Sequence, residues 1–143
     1  MGWWSAGVMG GDIPWDIRGE FEERFGSDDP CNAAENDLPP FSLPTAEEGL
    51  AFIADVVLAW HHFPPEIIAQ VTGFLMMQRA APFSDELQSL VRRGIDTEIL
   101  TMVEGGRNLA ERLQALAAFR AAVDAYPAEG GNVALPLQSG LGC

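Results

Sequence analysis

The chain has 143 residues, 48% of them hydrophobic, with 21 Asp and Glu against 8 Lys and Arg and a formal net charge of −13. That length predicts a single helical domain over residues 1–143, with enough apolar material for a core and no need of a metal or disulfide staple. The charge excludes direct nucleic-acid binding and anionic membranes as first choices and favours a basic partner, although solubility alone also explains a field of this sign.

All eight cations are arginine. The charge is uneven. Residues 1–48 hold eleven acids and two arginines, a net −9, and residues 49–143 hold ten acids and six arginines, a net −4. The only cysteines, Cys31 and Cys143, form no CxxC or Cys/His cluster. They indicate neither a disulfide framework nor a zinc site, and a reduced, cytoplasmic setting is expected. No basic stretch followed by a long apolar one suggests a signal peptide, and the longest apolar run, Leu50–Trp60, is interrupted by Asp55 and too short to span a bilayer.

Pro14 marks the first turn of a helix that Gly26 closes. Ile13, Ile17, Phe21 and Phe25 recur every four residues and make one apolar stripe along it. Residues 27–44, rich in Pro, Asp, Asn and Ser and without a period, predict an irregular acidic linker. A capping box of Thr45 and Glu48 starts a second helix running to about His61. Pro64 and Pro65 stop that helix and start a third, which ends before Pro82. Ser84 caps a fourth helix, expected to break at Gly94, with Asp96 capping a short fifth that ends at Gly105-Gly106. Asn108 with Glu111 is a second capping-box pattern, opening a last helix that ends at Pro127. The tail reads as loose, with at most a short strand at Val133–Leu137. The expectation is all-α: a compact bundle of about five to six helices, an irregular acidic linker and a loose C-terminal tail.

Chemistry-bearing patterns are few. Asp12, Asp16 and Glu20 stand at four-residue spacing with Glu23 three further on, a ladder of carboxylates beside the apolar stripe. Like charges at this spacing repel, by about 0.2–0.5 kcal/mol per pair. The ladder is a solvated face, a surface that meets a basic patch on a partner by imitating a row of phosphates, or a hard-cation site, for which a helix does not supply the closely spaced oxygens of an irregular loop. Trp3, Trp4 and Trp15 are either core filler, with the N-terminal segment folded back on the bundle, or binding anchors. Met76 and Met77 read as gap-filling core.

His61 and His62 are the only histidines, and with Asp55 or Glu66 they could form a metal or general-base pair. Pro64-Pro65 breaks the helix between His62 and Glu66, so a polar helix end is the simpler reading. No nucleophile elbow or phosphate loop is present. No catalytic residue, metal ligand or cofactor is therefore assigned.

The pattern Gly2-Trp3, Gly7, Gly11-Asp12 and Asp16 resembles the opening of a group of short bacterial and phage proteins of unknown function. Their starts read roughly Gly-x-Trp, a small Gly-containing turn, then Asp-x-x-x-Asp entering a helix. The likeness covers the first twenty residues, and Gly11-Asp12 stands where members carry two aspartates. It implies a mobile-element or prophage setting and no activity.

The sequence thus points to a small, acidic, non-enzymatic protein-binding module. It would be an inhibitor or regulator of a nucleic-acid-handling or defence complex, contacting its partner through Asp12, Asp16, Glu20, Glu23, Trp15, Trp3 and Trp4. The alternatives are a metal-dependent enzyme centred on His61 and His62, and a self-assembling structural subunit.

Overall fold

The computed structural model describes residues 12–104 and 110–131. Their six helices are α1 (Asp12–Phe25), α2 (Pro30–Glu35), α3 (Ala46–Ala59), α4 (Pro65–Gln78), α5 (Asp85–Glu104) and α6 (Ala110–Ala125). No strand occurs among the described residues, and the all-α bundle is as expected. The strand suggested at Val133–Leu137 and the glycine pair at 105–106 lie outside them.

The centre is α4. Every residue from Ile68 to Met77 is buried, so the helix has no solvent face. A helix apolar on all sides needs neighbours on all sides. α1, α3 and α5 pack directly against α4, and α6 packs on α5. Phe119 of α6 reaches Phe74 of α4 edge-on, with ring centroids 6.0 Å apart. Met76 and Met77 are core, as expected.

α1 presents its predicted stripe inward. Ile17 and Phe21 are fully buried, and Phe25 nearly so. Phe21 meets Phe52 of α3 edge-on at 5.3 Å. The helix stops where Gly26 adopts φ +76°, and a Cβ there would run into the backbone of Pro39 and Phe41. The capping box at α3 forms as predicted: Glu48 N donates to Thr45 Oγ1 at 3.1 Å, and Thr45 N donates to Glu48 Oε1 at 3.0 Å. Ser84 caps α5 by accepting from Leu87 N at 3.1 Å.

Three expectations need correction. The linker holds a short helix, α2, whose N-cap is Asp29: its side chain accepts from Cys31 N at 3.0 Å. The predicted fourth and fifth helices are one, because Gly94 lies inside α5 and does not end it. Its role is proximity. A Cβ at Gly94 would come within 2.8 Å of the Glu66 carbonyl oxygen at the start of α4. Cys31 departs from the expectation too, since it is disulfide-bonded.

Two of the helical glycines, Gly94 and Gly19, make opposite predictions. Gly94→Ala forces α4 and α5 apart and should destabilise the fold by about 1–3 kcal/mol. Gly19 on α1 has open space where a Cβ would stand, so Gly19→Ala should stabilise by about 0.5–1 kcal/mol. Urea unfolding of the two variants checks both signs.

Candidate functional site

Successive residues on a helix are about 100° apart. With Ile17 and Phe21 facing the core, Trp15 and Gly19 fall on the outer crest of α1. Asp16, Glu20 and Glu23 fall on one flank, and Arg18 and Glu22 on the other. Burial follows this geometry: Trp15, Asp16, Gly19 and Glu23 are exposed, Glu20 is intermediate and Glu22 is buried. Asp12 opens the helix, but its side chain lies outside the described residues, as do Trp3 and Trp4 in their entirety.

Trp15 is not core filler. Half of it, 51%, is exposed, and the Arg18 guanidinium lies over its ring, 5.0 Å from the centroid. Arg18 also pairs with Glu22 at 3.6 Å. Among the described residues, Asp16, Glu20 and Glu23 enter no ion pair. The Glu20 carboxyl is raised above its ordinary value by partial burial and by the negative charge of Glu23, partly offset by Arg24. The structure therefore places Trp15 on the outer crest of α1 and Asp16, Glu20 and Glu23 along the flank beside it.

The wider surface reinforces that sign. Between Phe25 and Gln78 the sequence has eight acids (Asp28, Asp29, Glu35, Asp37, Glu47, Glu48, Asp55 and Glu66) and no arginine. Most arginines are spent internally. Arg24 pairs with Asp55 at 2.8 Å, Arg92 with Asp124 at 3.0 Å, Arg112 with Glu98 at 2.7 Å and Arg120 with Asp96 at 2.8 Å.

Arg79 faces backbone. Its Nη1 donates to Phe25 O at 2.9 Å and Ser42 O at 3.0 Å, and its Nη2 donates to Gly26 O. Burial lowers its pKa, an effect that the charges of Glu22 and Asp28 oppose.

The histidines do not assemble a centre. His61 and His62 are both exposed, with ring centroids 6.3 Å apart, beside the stacked pair of Trp60 and Phe63. Asp55, one of the two carboxylates that sequence offered them, is held by Arg24. No group of three metal-binding side chains occurs among the described residues.

The sequence reading missed a largely buried polar cluster. Gln70, fully buried in α4, donates through Nε2 to Glu98 Oε1 at 2.8 Å and to Gly94 O at 3.3 Å. Arg112 of α6 holds both oxygens of Glu98, Nε to Oε2 at 2.7 Å and Nη2 to Oε1 at 2.8 Å, and it also reaches Gln70 Oε1 at 3.2 Å. The signal available was Gln70, a long polar side chain in the midst of the apolar run of α4. The hydrogen bonds of this cluster among the described residues run from helix to helix, so it serves as a tie between α4, α5 and α6.

No protein-family model, no curated protein and no solved structure matches the chain.

Burial alone would push the Glu98 carboxyl up, but hydrogen bonds from Arg112 and Gln70 and the guanidinium charge outweigh it and hold the carboxyl below its usual range. A carboxylate with a depressed folded pKa stabilises fully above its unfolded value, 4.5, and that stability is lost as pH falls through the folded value. Glu98→Gln should therefore cost about 1–3 kcal/mol at neutral pH. The gap from the unmodified protein should shrink below pH 4.5. Thermal unfolding of both proteins at pH 7 and pH 3 measures the gap.

Proposed function

We propose that the protein is a small acidic binding module that docks the outer face of α1 on a basic surface of another protein. The observation that carries this reading is the half-exposed Trp15 ring on the same helix as three carboxylates, Asp16, Glu20 and Glu23, that no arginine among the described residues neutralises. Tryptophan supplies apolar contact area at interface centres, while unpaired charges speed encounter and select the sign of the partner. The ladder of like charges works against the isolated helix, so folding alone does not call for it.

In its finer form the proposal is an inhibitor or regulator. Carboxylates along α1, with Asp12 at its start, take the place that nucleic-acid phosphates would occupy on the partner, and Trp3 and Trp4 extend the contact. The setting is cytoplasmic, and a nucleic-acid-handling or defence complex of a phage host is the proposed target. The resemblance of the first twenty residues to short bacterial and phage proteins supports that setting.

Affinity capture from host lysate with tagged protein, washed at low and high salt, tests the reading. A single basic partner should be retained at low salt and released at high salt. It should be lost with Asp16→Lys/Glu20→Lys and weakened by Trp15→Ala, while circular dichroism confirms that the variants keep their helices. Retention of the same partner by the charge-reversed variant would refute the acidic-face reading.

A further inference from the structure

Inside this bundle a glycine within a helix marks a place where another helix comes close. Gly49 of α3 faces the Met76 sulfur of α4, and a Cβ there would strike it. A Cβ on Gly73 of α4 would come within 2.7 Å of Val91 of α5, and one on Gly94 of α5 within 2.8 Å of the Glu66 carbonyl oxygen of α4. In each case the missing side chain lets two helices approach. Gly19 breaks the pattern. It stands in the middle of α1, its φ is not left-handed, and among the described residues nothing lies within 4 Å of the place a Cβ would take. Neither its own backbone nor packing within the described chain calls for glycine, and a glycine in a helix interior costs stability.

The bare position lies on the outer crest of α1, in the face the docking surface uses. Trp15, half-exposed and held from one side by Arg18, stands one turn before it. Asp16, Glu20 and Glu23 line the flank beside it and enter no ion pair among the described residues. Gly19 is thus the floor of a notch with an indole at one end and carboxylates along one wall. The backbone groups in a helix interior are spent on its own ladder, so a strand finds nothing there to pair with. A notch of this shape accepts the side-chain ridge of another helix. The charge fixes the rest: the incoming helix carries lysine or arginine on the side that meets the carboxylates. A second copy of α1 would instead set like charges against one another.

We propose that Gly19 is the crossing point at which α1 receives a basic amphipathic helix of the partner protein. The inference rests on docking through α1 and names the element that docks. Gly19 sets how near the two helix axes come, Trp15 packs against the apolar side of the incoming helix, and its cations reach Asp16, Glu20 and Glu23. The glycine that weakens α1 by itself is then explained by the complex, in which α1 gains the close neighbour that the other helical glycines already have.

Calorimetric titration of the full chain at low salt tests the crossing with two synthetic peptides. One, of about 20 residues, forms an amphipathic helix with arginine along one face and alanine and leucine along the other. The second has the same sequence with D-residues at alternate positions, which keeps charge and composition but prevents the helix. The helical peptide should bind ~10-fold or more tightly than the second, and amide shifts on binding should centre on Trp15, Gly19 and Glu23. Gly19→Leu should weaken the helical peptide by ~10-fold or more and Gly19→Ala by less, with neither variant lowering the melting temperature. Equal affinity for the two peptides, undiminished binding by Gly19→Leu, shifts centred away from α1, or no binding of the helical peptide would each overturn the crossing. Capture from lysate keeps the two readings apart. If Asp16→Lys/Glu20→Lys loses the captured partner while Gly19→Leu retains it, docking through α1 stands and the crossing falls.

Discussion

A single guanidinium at the end of α4 closes the fold. A helix terminates with carbonyls that no residue of its own can satisfy. At the end of α1 those groups turn toward the bundle, where water does not reach them freely. Arg79 satisfies two of them, on Phe25 and Gly26, and takes Ser42 O from the returning chain as well. Its planar face is used too, lying 4.8 Å from the Phe21 centroid and 4.6 Å from that of Phe41. Lysine could supply the charge but neither the fork nor the flat surface. The positions of α1, the acidic loop and the central helix thus depend on one side chain with planar, multidentate geometry.

The same preference runs through the molecule and shapes its surface. A chain without lysine has only arginine to set against its acids, and arginine goes where geometry is demanding. Arg112 makes a bidentate pair with a half-buried carboxylate, and Arg120 and Arg92 lace α5 to α6. Each of these ties sets one arginine against one acid. The field that remains is concentrated on α1 and the loop, where Asp16, Glu20, Glu23, Asp28, Asp29, Glu35 and Asp37 enter no ion pair among the described residues. The exposed Trp15 lies inside that field, so an apolar anchor and an attractive potential coincide on one helix.

Much of the fold was legible from local chemistry. The four-residue stripe of α1, the Thr45 and Glu48 box and the Ser84 cap are decided by residues within one or two turns, and each forms as read. What failed was decided across the bundle. Gly94 looks like a helix breaker in sequence, yet its lack of a side chain answers to the Glu66 carbonyl on another helix. α2 was invisible because six residues carry no period, and only the Asp29 cap marks it. The acidic ladder was readable from spacing, and its exposure followed from the stripe beside it. Trp15 lay between two readings until the surroundings of its ring were known, and the Gln70, Glu98 and Arg112 cluster joins residues up to 42 positions apart.

The pairing of Gly94 with the Glu98 cluster has a consequence for register. Two apolar helices that slide past each other by one turn, about 5.4 Å, meet nearly the same kind of surface and lose little. Here such a slip carries a penalty at two points one turn apart on α5. It moves a side chain into the space kept for the Glu66 carbonyl, and it takes Glu98 away from both Gln70 and Arg112. α4, α5 and α6 therefore share one permitted axial setting, as graduated rods do when a notch and a pin must both engage. A largely apolar core acquires a defined length scale from one missing side chain and one half-buried charge.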